Sequence, residues 1–313
     1  MLLLYTLMLC FHSDNQTFGI FDKEVCMEEL KPALYIVPTP IGNMEDITFR
    51  AVRILREAQI ICAEDTRHSR PLLEQLGITA PVLESFHDHN EMEKAARIRD
   101  WIQEGKSVAL ISDAGTPLIS DPGYHLVVAC VNAGVQVVPL PGPCAVITAL
   151  EAAGFPTDRF CFEGFLPVKE KALYDRLEEL RHEPRTIVFY ETPRRMPDTA
   201  VALGKVFGER EIVVGREMTK AFETFYRTTC CKLSDVLASD SNSDRGEMVA
   251  VLYPWRPDPG ENGVSDAALK LLRLLVTDLP VKKAVRIVSE TFGCSRNEIY
   301  REALALKEEP DIG

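Results

Sequence analysis

Between residues 33 and 153 short runs of β-forming residues alternate with helical stretches, and that alternation confines this part of the chain to a mainly parallel sheet. The runs are 34–37, 59–62, 82–85, 108–111 and 135–138, with helices near 46–57, 66–76, 90–104, 122–133 and 143–153. In the first helix Ile47, Val52, Ile54 and Leu55 supply an apolar face, while Arg50, Arg53 and Arg56, spaced by three, share the other and read as solvated surface.

Three of the runs end in Gly/Pro-rich turns. They read Pro38-Thr39-Pro40-Ile41-Gly42-Asn43, Ser112-Asp113-Ala114-Gly115-Thr116-Pro117 and Pro139-Leu140-Pro141-Gly142-Pro143-Cys144. Turns that leave the carboxyl ends of parallel strands open on one edge, where ligands bind, so the three together make one candidate pocket. None is a phosphate-binding G-x-x-x-x-G-K-[ST] loop and none is G-x-G-x-x-G. Gly, Pro and Thr let backbone N–H and C=O groups approach a ligand closely, which suits an adenosine and an amino-acid moiety better than a triphosphate.

Two polar clusters lie between the turns, Glu64-Asp65-Thr66-Arg67-His68 after the second run and Phe86-His87-Asp88-His89-Asn90-Glu91 after the third. His87 and His89 lack a third ligand at matching spacing, so no metal is expected, and Asn90 stands where it can cap the following helix.

Gly154-Phe155-Pro156 breaks the alternation, and hairpin-like strands become more frequent after it: 160–163, 185–190, 211–215, 222–228 and 247–253, with helices near 169–182 and 194–207. Pro254 to Gly263 reads as a linker, and three helical stretches follow near 265–277, 281–291 and 296–306. The last two, parted by Gly293, form a helix-turn-helix-like tail; the pattern fits nucleic-acid contact and plain helical packing equally. The expected organisation is an extension over 1–32, an α/β domain over 33–155, a second over 156–254 and a tail over 265–307.

At 313 residues, 46% hydrophobic and 26% charged, the chain has the composition of a globular protein with room for two cores. Its nine cysteines form no C-x-x-C pair, which favours reduced thiols in a cytoplasm. The apolar start MLLLYTLMLCF is too short to span a bilayer and lacks the features of a signal peptide, and with Met27 close behind, residues 1–26 read as a start-site extension. The net charge of −12 argues against a general nucleic-acid binder, but residues 266–307 carry eight Lys or Arg against five acids, +3 against −15 for the rest.

The strings LYIVPTPIGN, AEDTRHS, FHDHNE, ALISDAGTPLISDPG, VVPLPGPCAVITAL, FEGFLP, FYETPRRM, GREMTK and RGEMV, in this order from about Leu34 to Leu306, resemble the bacterial 16S rRNA (cytidine 2′-O)-methyltransferases, a branch of the tetrapyrrole methylase superfamily. The resemblance implies a two-domain α/β enzyme with a small helical tail. It further implies a homodimer that binds S-adenosylmethionine between its domains and methylates a ribose hydroxyl at the decoding centre of the small ribosomal subunit. The implied cofactor residues are Pro40, Ser112, Asp113, Ala114, Gly115, Thr116, Pro117, Pro141 and Gly142, with Tyr190, Glu191, Met248, Val249 and Ala250 from the second domain. Cys144 and Ala145 replace a hydroxyl residue common in relatives, so a backbone contact is expected there.

Methyl transfer to a ribose 2′-hydroxyl needs in-line positioning and gains roughly 10² to 10⁴-fold from a base. Asp65 is the first candidate, His87 the second and Glu64 the third. Arg67, Arg194, Arg195, Lys220, Lys282, Lys283 and Arg286 are the candidates for RNA phosphates, because guanidinium and ammonium groups match phosphate oxygens. The rival readings are a small-molecule C-methyltransferase and a ribosome-binding protein without activity.

Overall fold

The computed structural model describes residues 30–80, 82–87, 90–256 and 266–308. Residues 1–29 of the expected extension, Asp88, His89 and most of the expected linker lie outside the described residues.

The first sheet is built from β1 (Leu34–Ile36), β2 (Ile60–Ala63), β3 (Leu83–Ser85), β4 (Val108–Ile111) and β5 (Val137–Pro139), in the order β3-β2-β4-β1-β5. Every pairing in it is parallel, as the alternation predicts. β1, β2 and β4 are buried along their whole length, the state that a continuous apolar run encodes in a sheet covered on both faces. Between the strands run α1 (Phe49–Glu57), α2 (Thr66–Gln75), α3 (Glu91–Gln103) and α4 (Tyr124–Asn132). The Thr48 hydroxyl caps α1 by accepting from Ala51 N at 3.0 Å. Below that cap Ala51, Ile54 and Leu55 are buried while Arg50, Arg53 and Arg56 stay exposed.

The second sheet has the order β6-β7-β10-β8-β9, from β6 (Phe160–Phe165), β7 (Thr186–Glu191), β8 (Glu211–Arg216), β9 (Thr224–Thr229) and β10 (Met248–Leu252). Only β6 and β7 run parallel; β8 and β9 form a hairpin and β10 is antiparallel to both its neighbours. Side chains alternate across β10. Val249 and Val251 join Val188 and Val213 beneath α5 (Ala145–Ala153), whose Val146, Ala149, Leu150 and Ala153 complete that layer. Ala250 and Leu252 join Ile187, Phe189 and Val214 on the other face, under α6 (Glu170–Glu179), α7 (Met196–Phe207) and α8 (Cys230–Ala238). Each fully buried Val, Leu, Ile or Phe side chain in these layers stabilises the fold by about 1.5–3 kcal/mol.

Helix α8 has no counterpart among the sequence expectations. Cys230, Leu233 and Leu237 are its buried residues, a helical spacing that the preceding β-forming run Thr224–Thr229 obscures.

The tail packs α9 (Asp266–Asp278), α10 (Val281–Phe292) and α11 (Arg296–Glu308) around Ala268, Leu272, Ala284, Val288, Ile299 and Ala303. The chain divides into two compact units. Described residues up to Pro38, Thr48–Asp113 and Asp121–Pro141 form one, and Thr39–Ile47, Ala114–Ser120 and Gly142 onward form the other. No helix among the described residues is long and apolar enough to cross a membrane.

Candidate functional site

The three turns follow β4, β1 and β5, which are consecutive neighbours in the sheet. Segments of all three belong to the second unit, where they are bonded to one another. Thr39 and Gly115 form a two-residue antiparallel bridge, with Thr39 N donating to Gly115 O at 2.9 Å and Gly115 N to Thr39 O at 3.0 Å. The Thr116 hydroxyl donates to Pro143 O at 2.8 Å and ties in the third turn.

Gly115 has φ +81°, and a Cβ there would lie 3.2 Å from Ile41 Cγ2 and 3.8 Å from Pro143 O, so a side chain would be strained in conformation and tight against Ile41. Leu118 at φ 76° and Ser120 at φ 66° continue the same loop in conformations that cost non-glycine residues. Strain held in place by neighbouring bonds is a feature of ligand-clamping loops. Gly42 is required for a different reason: a Cβ there would collide with the Lys220 stem, which lies over it.

The remaining cofactor candidates divide by burial. Ser112 is buried and Pro117 and Pro40 are enclosed to differing degrees, whereas Asp113, Ala114, Pro141 and Gly142 are exposed. Cys144 stands at the N-cap of α5 with no side-chain cap bond, and its carbonyl accepts from Thr148 N at 3.0 Å, leaving Ala145 as the first helical residue. On the second sheet Tyr190 pairs with Val249, and the Tyr190 ring packs edge-on against Phe162 at 4.9 Å.

The Glu191 side chain is engaged within the second unit. Its carboxylate is buried and accepts from Thr192 N and the Thr199 hydroxyl, each at 2.8 Å, with Arg195 Nη2 at 3.3 Å, so it braces the β7–α7 junction from within. Met248 and Ala250 likewise point into the core with α7, and the backbone of β10 is paired on both sides, with β7 and with β8.

Two of the expected phosphate contacts are spent internally. Arg195 donates to Leu166 O at 2.7 Å as well as pairing with Glu191. Lys220 Nζ bonds Glu217 and Glu247, each at 2.9 Å. Arg194 is exposed, as are Lys282, Lys283 and Arg286 on one face of α10.

The polar cluster after β2 shows how two of its titratable groups are partnered. Asp65 is the N-cap of α2 and accepts from Arg67 N at 2.8 Å, Arg67 Nε at 3.0 Å and Arg67 Nη2 at 2.6 Å. The Arg67 bonds hold its carboxyl well below the usual carboxylate range, and a carboxylate so stabilised has little affinity for a proton. Arg67 is the exposed half of that pair.

The group that gains basicity is His68, one turn into α2. Its Nδ1 lies 3.0 Å from Asp113 Oδ2, while Asp113 Oδ1 accepts from Asp65 N at 3.0 Å. The Asp113 hydrogen bond and charge, with a smaller contribution from Asp65, raise the His68 pKa. A carboxylate on Nδ1 fixes the tautomer and leaves Nε2 as the proton acceptor. Glu64 meets Asp113 from the other side, its Oε2 3.4 Å from Asp113 N.

The sequence does not single out His68, because its partner lies 45 residues away, at the end of β4. The signal is the strand order: β2 and β4 are neighbours, so the residues after them meet. In the cluster after β3, His87 N donates to Asn90 Oδ1 at 2.9 Å and His87 Nε2 lies 3.0 Å from Asn90 Nδ2. Asn90 therefore turns back to His87 and makes no side-chain cap to α3. Its neighbour Glu91 is buried and accepts from Gly123 N at 3.0 Å and His125 N at 2.8 Å, holding the start of α4. Among the described residues no group of three or more His, Cys, Asp or Glu is placed to hold a metal ion.

The profile of the tetrapyrrole (corrin/porphyrin) methylases matches residues 33–234, and that of the RsmI C-terminal HTH domain matches 262–307. The ribosomal RNA small subunit methyltransferase I of Pseudomonas aeruginosa is 48% identical over 272 residues, 87% of this chain and 96% of its own. The protein of the same name from Haemophilus influenzae is 49% identical over 89% of this chain and 99% of its own, and that from Vibrio cholerae 50% identical over 87% and 94%. Among solved structures, the methyltransferase CobJ superposes with a TM-score of 0.53 at 18% identity, covering 71% of this chain and 94% of its own. Cobalt precorrin-4 methyltransferase reaches 0.52 at 22% identity, covering 71% and 95%; both likenesses concern the fold alone. The chain belongs to the tetrapyrrole methylase family, in the group of the ribosomal RNA small subunit methyltransferases I.

Proposed function

We propose that this chain transfers a methyl group from S-adenosylmethionine to the ribose 2′-hydroxyl of a cytidine in 16S rRNA, at the decoding centre of the small ribosomal subunit. The observation that carries the reading is the bonded set of turns, Thr39 to Gly115 and Thr116 to Pro143, in a chain about half identical to ribosomal RNA small subunit methyltransferases. The donor set fits the cofactor: backbone N–H and C=O groups and hydroxyls around a glycine at φ +81° suit a zwitterionic amino acid and a nucleoside.

When bound, S-adenosylmethionine supplies an electrophilic methyl group on a sulfonium. The turns at Thr39–Gly42 and Ala114–Thr116, with the backbone at Cys144, would hold and orient it. His68, its ring steered by Asp113, takes the proton of the ribose hydroxyl at Nε2 as that oxygen becomes a nucleophile. Arg194 and the exposed cations of α10 meet RNA phosphates. The resemblance further supports a homodimer working in the cytoplasm, which sedimentation of the purified protein tests for assembly.

The deciding experiment incubates the purified chain with small ribosomal subunits and methyl-labelled cofactor. Label is expected in one cytidine of 16S rRNA, at a linkage that resists alkali because the 2′-oxygen is blocked. Label on a base, or on no RNA at all, would overturn the proposal.

A further inference from the structure

At the end of β7 and β10 remote from Tyr190 and Met248, the second unit has a cavity of about 670 Å³ walled by Phe207, Tyr253 and Trp255 together with Arg181, Arg210 and Arg256, with Glu209 and Glu211 also on its lining. The five residues of β10 separate it from Met248 by about 13 Å along the strand, so it is distinct from the residues assigned to the cofactor.

Its rings are held in place. Trp255 N donates to Glu183 O at 2.9 Å, and the His182 ring meets the Trp255 ring edge-on with centroids 5.0 Å apart. The Arg256 guanidinium lies 5.2 Å from the centroid of Tyr253, whose ring also meets that of Phe155 at right angles, centroids 5.2 Å apart.

The charge beneath the rings is held by main-chain groups. Arg210 donates to three main-chain carbonyls, those of Tyr253, Arg181 and Glu183, and among the described residues none of its hydrogen bonds goes to a carboxylate. Burial pulls its guanidinium down to about 10, the direction expected of a cation taken from water, and outweighs the opposing influence of charges that include Glu183. Other arginines of this unit pair directly with a carboxylate: Arg176 with Glu163, and Arg185 with Glu183. Glu209, at the rim, is engaged elsewhere, accepting from Cys231 Sγ at 3.0 Å. A cavity that combines fixed aromatic faces with cationic groups is suited to a ligand with a flat ring and a phosphate.

We propose that this cavity is a binding pocket for one unpaired nucleotide of the RNA substrate, its base against Trp255 and His182 and its phosphate beside Arg210 and Arg256. The choice of RNA over a free nucleotide rests on the proposed function. Trp255 and Arg256 also lead directly, in sequence, toward the tail whose α10 carries Lys282, Lys283 and Arg286.

The chain has two tryptophans, Trp101 and Trp255, so Trp101→Phe leaves the cavity tryptophan as the sole reporter. In that full-length background an unstructured oligocytidylate is expected to quench Trp255 fluorescence saturably, with inorganic phosphate and cytidine 5′-monophosphate binding more weakly. Arg256→Ala and His182→Ala, both at exposed positions, should each weaken the oligonucleotide about tenfold, Arg256→Lys restoring part of the loss. Methylation of small subunits by Arg256→Ala should show a raised KM with kcat and cofactor affinity unchanged.

Quenching that is absent, or equally strong in Arg256→Ala and His182→Ala, would overturn the pocket. So would tight binding of the mononucleotide with none of the oligonucleotide. Quenching by a chain that fails to methylate small subunits would support the pocket and overturn the proposed activity; methylation without quenching would do the reverse.

Discussion

The first sheet contrasts two regions of the chain that follow its strands: the glycine-rich turns after β4, β1 and β5, and the polar clusters after β2 and β3. The turns are governed by backbone requirements. Gly115 at φ +81° against Ile41 favours glycine whatever lies beyond it, so the residue type points to the geometry. In the clusters the residue type announces almost nothing. Asp65 and Asp113 are both aspartates at the ends of neighbouring strands, yet one is neutralised by Arg67 and the other raises the basicity of His68. A side chain's chemistry is set by partners across the sheet, and partners depend on strand order.

The largest test of that contrast exchanges the two candidates for the base. His68→Ala should lower kcat by roughly 10² to 10⁴-fold while cofactor affinity, measured by calorimetry, holds. Asp65→Asn should change kcat by less than about threefold, because asparagine caps a helix as well as aspartate does. The opposite ranking would return the role to Asp65 and show that the Arg67 pair opens when RNA binds.

Next in size is the turn itself. Gly115→Val places a β-branched side chain at positive φ, a strain of about 1–3 kcal/mol, and presses it toward Ile41 and Pro143. The melting temperature should fall and the S-adenosylmethionine Kd rise at least about tenfold. A variant with unchanged affinity would move the cofactor away from this loop and make the turns structural, erasing the contrast.

A smaller effect lies in pH. His68 must be neutral to accept a proton and its pKa is raised, so kcat should climb with pH through a midpoint above the ordinary histidine value of about 6.5. Asp113→Asn removes the largest cause of that rise, so the midpoint should move to lower pH as kcat falls. A midpoint that stays in place in Asp113→Asn would mean that the titrating group is another one.

The same contrast explains what can be read in the chain. Parallel strands, their helices and the three turns follow from local patterns, since β1, β2 and β4 are continuous apolar runs and Thr48 and Ala51 mark the start of α1. The order β3-β2-β4-β1-β5 does not, because each parallel strand is alike to its neighbours in composition. With the order hidden, the pairing of His68 with Asp113 is hidden too. α8 escapes for a local reason: its first residues, Cys230 and Cys231, continue a β-forming run before Leu233 and Leu237 reveal the helix. Charge is the least legible quantity. Arg195, Lys220 and Glu191 look like ligand contacts in the sequence, and each is consumed by neighbours that lie far along the chain or around a turn.

The tail is where charge keeps the meaning it has in the sequence. Lys282, Lys283 and Arg286 line the exposed face of α10 opposite Ala284, Val285 and Val288, in a tail at +3 on a chain of −12. Replacing all three by Gln leaves the buried face untouched, so the melting temperature should not move. If they neutralise phosphates, the slope of log affinity against log salt should flatten by about 0.7–0.9 for each phosphate left without its cation, with a few-fold rise in KM for small subunits at moderate salt and no change in kcat. An unaltered slope would assign the tail to packing or assembly, and would mean that even an exposed, unopposed cationic face in this chain cannot be read from its residues alone.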